Sequence, residues 1–250
     1  MLREEDKLPF TAHLEELRSR LIKSAAAVGV GFAACYGFKE QLFQILIRPL
    51  ILVMPDGGRL IFTGLPEAFF TYLKISLIAG VILASPVLFY QFWMFVAPGL
   101  YKKERMTLAP IVIVTTLFFA GGALFGYFVV FPYGFKFLLG FGSDYIRTLP
   151  AMREYLNFSI KLLFIFGLAF EMPVILVAIA RLGVVSVGYL QRNRKYAVLL
   201  AFVLAAFLTP DVISMILMAV PLMLLYELGI QGARCFERRK KAKAPGEKSS

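Results

Sequence analysis

Apolar residues gather in long blocks along this chain, and charges collect in the short stretches between them. Candidate helical spans fall near residues 21–38, 68–92, 107–133 and 155–180. Several runs continue for about 18 or more residues with at most one charge, enough to cross roughly 30 Å of hydrocarbon. The last block, residues 195–229, would measure about 52 Å as one helix, far more than a bilayer core. It is interrupted by "LTPDV", where Pro210 disfavours helix at Thr209 and Asp211 can cap a new one. Basic residues stand at both of its ends, so a hairpin returning to the same side is expected. Its two arms are short, roughly 15 to 18 residues each, which implies local bilayer thinning or support from neighbours.

The pattern therefore predicts an all-α integral membrane protein with six transmembrane helices, the last two of them short. Composition agrees: 59% of the 250 residues are hydrophobic, 17% are charged, and mean hydropathy is +0.75. Soluble domains carry about 25% charged residues. Lys and Arg cluster at the N-terminus, after span 2 (Lys102, Lys103, Arg105) and after span 4 (Arg181, Arg192, Arg194, Lys195), so the positive-inside rule puts both termini in the cytoplasm. The net charge of +11 is spread over these loops and the tail, which fits anionic lipid rather than nucleic acid. The start "MLREEDKLPF" lacks the apolar core of a cleaved signal peptide. One six-helix domain is expected over residues 1–233, followed by a basic, disordered tail over 234–250. The outer segment "KEQLFQILIRPLI" has the pattern of an amphipathic helix. Cys35 and Cys235 are expected to be free thiols, and no metal-ligand spacing is present.

Four places could carry chemistry. In "HLEELRSRL", residues 13–21, Thr11 can cap a helix that holds Glu15 and Glu16 in its early turns. Glu16 and Arg20 stand at i,i+4 and Glu15 and Arg18 at i,i+3, so local ion pairs are one reading and a carboxylate displayed for an incoming cation is the other. In "FWMFVAPGLYKKERM", Pro98 and Gly99 turn the chain, and Glu104 is the single acid among three cations. That loop and the N-terminal helix share one face of the membrane, where Glu16 and Glu104 can act together. In "FEMPV", Glu171 lies near mid-membrane, where an ionisable side chain marks function unless another helix satisfies it, and Pro173 frees the Ala169 carbonyl and kinks the helix. Asp211 reads as a helix cap and Glu227 as an interfacial charge. His13, the single histidine, has no partner for catalysis or metal binding, and signatures of hydrolases, zinc enzymes and nucleotide-binding loops are missing, so no enzyme and no cofactor are expected.

"HLEELRSRL", "FWMFVAPGLYKKE", "FEMP", "TPD" and "PLMLLYE" occur in register from residue 13 to 227, and together they resemble TatC, the polytopic core subunit of the twin-arginine protein translocase. The resemblance implies a receptor for signal peptides on folded cargo, located in the inner (cytoplasmic) membrane and driven by the proton-motive force. It implies that Glu16 and Glu104 receive the arginine pair and that Glu15, Arg18 and Arg20 shape that site. It implies that Glu171 faces TatA/TatB-type single-span partners in an oligomeric complex, and that Pro98, Pro210 and Asp211 are structural. The alternative is a proton-coupled small-solute transporter with Glu171 as its relay, which would need a polar path and repeat symmetry.

Overall fold

A computed structural model describes residues 10–54, 60–61, 64–96, 108–140, 150–181, 183–208 and 212–242. Among these residues the regular structure is helical, joined by turns and short irregular stretches, with one isolated bridge in which Ile61 pairs with Ala151. Helix α1 spans Phe10–Tyr36, α2 Lys39–Ile51, α3 Glu67–Val96 and α4 Leu108–Phe125. A π-helical turn, Gly126–Val130, joins α4 to α5 (Phe131–Leu139), and α6 (Met152–Phe170) is followed directly by α7 (Met172–Arg181). Helices α8 (Val187–Arg192), α9 (Arg194–Leu208) and α10 (Val212–Ala242) complete the order.

Among the described residues, three stretches are long and apolar enough to cross a membrane: Glu67–Val96, Ala109–Leu139 and Met152–Arg181. A fourth arises if Ala12–Tyr36 and Lys39–Ile51, bent by 85° at their junction, are counted as one broken span. The expected amphipathic segment is thus a helix, α2, with Leu46 and Leu50 buried. Many large apolar side chains point outward, including Leu83, Ile113, Leu117, Leu199, Phe207 and Leu224. In water each would cost roughly 1.5–3 kcal/mol relative to burial; against lipid chains they cost little.

The contacts separate the chain into two compact units, one holding residues 1–47 and 62–117 and the other residues 48–61 and 118–250. In the first, α1 and α3 pack antiparallel. His13 near the start of α1 meets Phe95, Gly31 toward its end meets Gly80, and beyond α1 the ring of Phe43 in α2 meets Tyr72 of α3. Small residues make this possible. Ser76, Gly80 and Ala84 recur every fourth position on α3 and are all buried, which lets two backbones approach closely. The Ser76 hydroxyl donates to its own helix at the Tyr72 carbonyl, 2.7 Å away, so burying it leaves no donor unmet.

In the second unit, the end of α4 lies against α6, with Gly122 under the Phe166 carbonyl and Gly167 under the Phe119 ring. Aromatic rings continue this contact: Phe125 with Phe166 and Phe170, then Phe135 with Tyr155 at 5.0 Å. The π-turn has a local cause. Pro132 cannot donate to the carbonyl four residues earlier, and the Phe131 amide reaches back to the Gly126 carbonyl instead.

Helices α9 and α10 fold back on each other: Arg194 Nη2 at the start of α9 bonds Glu227 Oε1 of α10 at 2.6 Å. The hairpin read from the basic ends of this block is therefore formed, although Pro210 and Asp211 themselves lie outside the described residues. Both partners of the pair are largely exposed, so Glu227→Gln is expected to lower stability by only about 0.2–1 kcal/mol, and by less at high salt. Thermal unfolding of the purified protein at two salt concentrations checks this. Helix α10 continues to Ala242, so residues 234–242 are helical where a disordered tail was expected. The Arg, Lys and Ala of this segment are good helix formers, and the Arg181 guanidinium sits 4.4 Å from the centre of the Phe236 ring.

Candidate functional site

Helix α1 begins at Phe10, one residue ahead of the expected cap at Thr11, and carries residues 13–21 on its first turns. The i,i+4 spacing places Arg20 beside Glu16, and both Arg20 Nε (3.1 Å) and Arg20 Nη2 donate to the same oxygen, Glu16 Oε1. The second oxygen, Oε2, faces the His13 Nδ1 at 3.8 Å. Glu16 remains partly accessible, with 30% of its side chain exposed, whereas Arg20 is 16% exposed. A carboxylate of this kind keeps lone pairs for a further charge-assisted donor. Glu15 and Arg18 are both exposed and are not paired with each other, so only one of the two expected local ion pairs forms.

The His13 ring stacks on Phe95 with centroids 4.4 Å apart and planes 16° from parallel. This contact fastens the acidic end of α1 to the last turn of α3. Phe95 stands nine residues before Glu104 in the chain, and Pro98, Gly99 and Glu104 lie outside the described residues. The pairing of Glu16 with Glu104 is therefore a matter for proposal. The His13–Glu16 proximity was legible as an i,i+3 spacing on a helix; the stack on Phe95, a residue about eighty positions away, had no signal in the sequence.

Glu171 sits at the break between α6 and α7. Its amide bonds the Leu168 carbonyl at 3.1 Å and its carbonyl accepts from the Ile175 amide at 2.9 Å, with Pro173 buried just beyond. The break lies where Pro173 removes a donor from the helix. The residue is 4% exposed and its carboxyl is hydrogen-bonded at the Phe119 backbone, yet among the described residues Oε1 has no partner. A buried oxygen left unmet costs about 1–3 kcal/mol or more. Among the described residues, no group of three or more His, Cys, Asp or Glu side chains could hold a metal ion.

Residues 12–221 match the family model described as "Sec-independent protein translocase protein (TatC)". The chain belongs to the TatC family. A relative from Desulforapulum autotrophicum, named Sec-independent protein translocase protein TatC, is 60% identical over 241 residues, covering 96% of this chain and 89% of the relative. One of the same name from Magnetococcus marinus is 50% identical, covering 94% of this chain and 88% of its own length. A solved structure described as the crystal structure of the twin arginine translocase receptor TatC superposes with a TM-score of 0.80 at 41% identity, over 89% of this chain and 98% of that one. Membership in a protein translocase family makes this TatC-family chain a membrane transport subunit, and no catalytic activity is indicated. It leaves the small-solute transporter reading without support.

Proposed function

We propose that this chain is the receptor subunit of a translocase that exports folded proteins, and that it selects cargo by an arginine pair in the signal peptide. The observation that carries the reading is the Glu16 carboxylate, partly exposed on the first turns of α1, with one oxygen anchored by Arg20 and the other directed away from that anchor. Glu104 supplies the second carboxylate from the loop that follows α3, while Glu15, Arg18 and Arg20 set the local field. Guanidinium carries several directed N–H donors that can reach Glu16 Oε2 and a second carboxylate at once, whereas ammonium is a compact point charge, which would select arginine over lysine. Two such contacts, at roughly 1.5–3 kcal/mol each, fall short of the ~8.2 kcal/mol of a micromolar complex. Apolar burial of the signal segment along the helices must supply the difference.

In this reading the chain crosses the inner (cytoplasmic) membrane six times with both termini in the cytoplasm, α9 and α10 forming the two short final spans. Anionic lipids cover the basic loops. Glu171 recruits TatA/TatB-type single-span subunits into an oligomer energised by the proton-motive force, and Pro98, Gly99, Pro173, Pro210 and Asp211 shape the turns. Photo-crosslinking of purified protein to a peptide bearing consecutive arginines and an apolar segment tests the receptor role. Glu16→Ala or Glu104→Ala is expected to abolish the adduct, and a lysine-pair peptide to give little with the unaltered protein. An undiminished adduct in the Glu16/Glu104 double variant would overturn the assignment.

A further inference from the structure

The arginine site proposed above has a neighbour to which that reading gives no task. His13, 47% exposed, is held on two sides: its ring lies flat on Phe95 of α3, and its Nδ1 points at Glu16 Oε2, 3.8 Å away. Glu16 Oε2 is the oxygen Arg20 leaves open, since both Arg20 donors converge on Oε1. Histidine thus stands where an incoming guanidinium would approach the free side of the carboxylate.

We propose that His13 is a positioning residue that makes arginine capture sensitive to pH. As neutral imidazole it fixes the start of α1 against the end of α3 through the stack and leaves Oε2 able to accept from a guanidinium. As imidazolium it becomes a cation pointing at Oε2, and it competes with the peptide for that oxygen. Histidine is the side chain whose charge ordinarily changes around neutral pH. Few other groups bear on it. On its own helix the facing charges are Glu16, with Arg20 behind it, while α3 presents the uncharged Phe95. Among the described residues no other charge comes within ion-pair distance of His13.

The inference rests on the receptor reading, and the experiment separates the two. Affinity of the purified full chain for a fluorescent arginine-pair peptide, with a lysine-pair control, is measured from pH 5.5 to 8 for the unaltered protein, His13→Phe and His13→Ala. The unaltered protein is expected to bind up to about fivefold more weakly at the acid end, the scale of a partly exposed ion pair. His13→Phe keeps a ring on Phe95 without a titrating group, and its affinity is expected to stay level across the range. His13→Ala loses the stack and should also lose the acid step, with weaker binding at every pH. Equal acid sensitivity in the unaltered protein and His13→Phe overturns the role of His13 and leaves the receptor reading intact. Failure of the unaltered protein to prefer the arginine peptide at any pH overturns both.

Discussion

Replacing Gly80 by leucine is expected to unfold the packing of α1 on α3, lowering the stability of the purified protein by roughly 3 kcal/mol or more. The cause is backbone against backbone. A Cβ on Gly80 would stand 2.6 Å from the Phe32 nitrogen and 2.8 Å from its Cα, and one on Gly31 would stand 2.6 Å from the Gly80 carbonyl oxygen. Neither neighbour is a side chain that can swing away, so the helices must separate. Even Gly80→Ala or Gly31→Ala should destabilise by about 1–3 kcal/mol, against the 0.5–1 kcal/mol that alanine gains over glycine in a helix. Gly29 provides the control, because a Cβ there meets nothing within 4 Å. Gly29→Ala is expected to be neutral or stabilising on the same helix, two residues away. The second unit repeats the test: Gly122→Ala would collide with the Phe166 carbonyl, whereas Gly121→Ala meets open space. Thermal unfolding in detergent distinguishes the pairs, with roughly 6–12 °C expected for a 3 kcal/mol loss in a chain of this size. Equal behaviour of Gly29→Ala and Gly31→Ala would show that the close approach has no energetic weight. Because α1 carries Glu16, peptide capture should fall with stability in the Gly31 and Gly80 variants.

Glu171→Met is expected to behave in the opposite way, with folding preserved and partner recruitment lost. The substitution keeps an unbranched side chain of similar volume; it loses the hydrogen bond at the Phe119 backbone but also removes a buried oxygen without a partner among the described residues, so stability should change by no more than about 1 kcal/mol. If that oxygen awaits a polar group on a single-span partner helix, its loss removes the hydrogen bond and leaves the partner's buried donor unmet, at about 1–3 kcal/mol. Co-purification with the partner should then fall roughly ten- to hundredfold. Binding of the arginine-pair peptide should be unchanged, because that role is assigned to Glu16 and Glu104. Parallel loss of peptide binding and thermal stability would instead make Glu171 a structural residue.

Pro173 beside Glu171 announced an interrupted helix, because a missing amide donor is a local fact. The partnerless state of Oε1 was not announced, because it depends on what α4 places opposite. The Glu16–Arg20 pair was legible from a four-residue spacing, but the choice of Oε1 over Oε2 was not. The matching Glu15–Arg18 pair, equally legible, did not form, since exposed side chains gain little by pairing. Residues 234–242 of the basic tail continue α10, as their Arg, Lys and Ala favour, while residues 243–250 lie outside the described residues.

The sequence by itself determined the all-helical architecture, the hairpin of α9 and α10, the amphipathic α2 and the family. All of these follow from periodicity, hydropathy, proline position and short motifs, which act within a few turns of chain. Tertiary structure alone decided which glycines are contacts, that Gly31 faces Gly80 and Gly122 faces Phe166, and that His13 rests on Phe95. Those pairings join residues tens of positions apart, and only the docking of one helix on another brings them within a few ångströms.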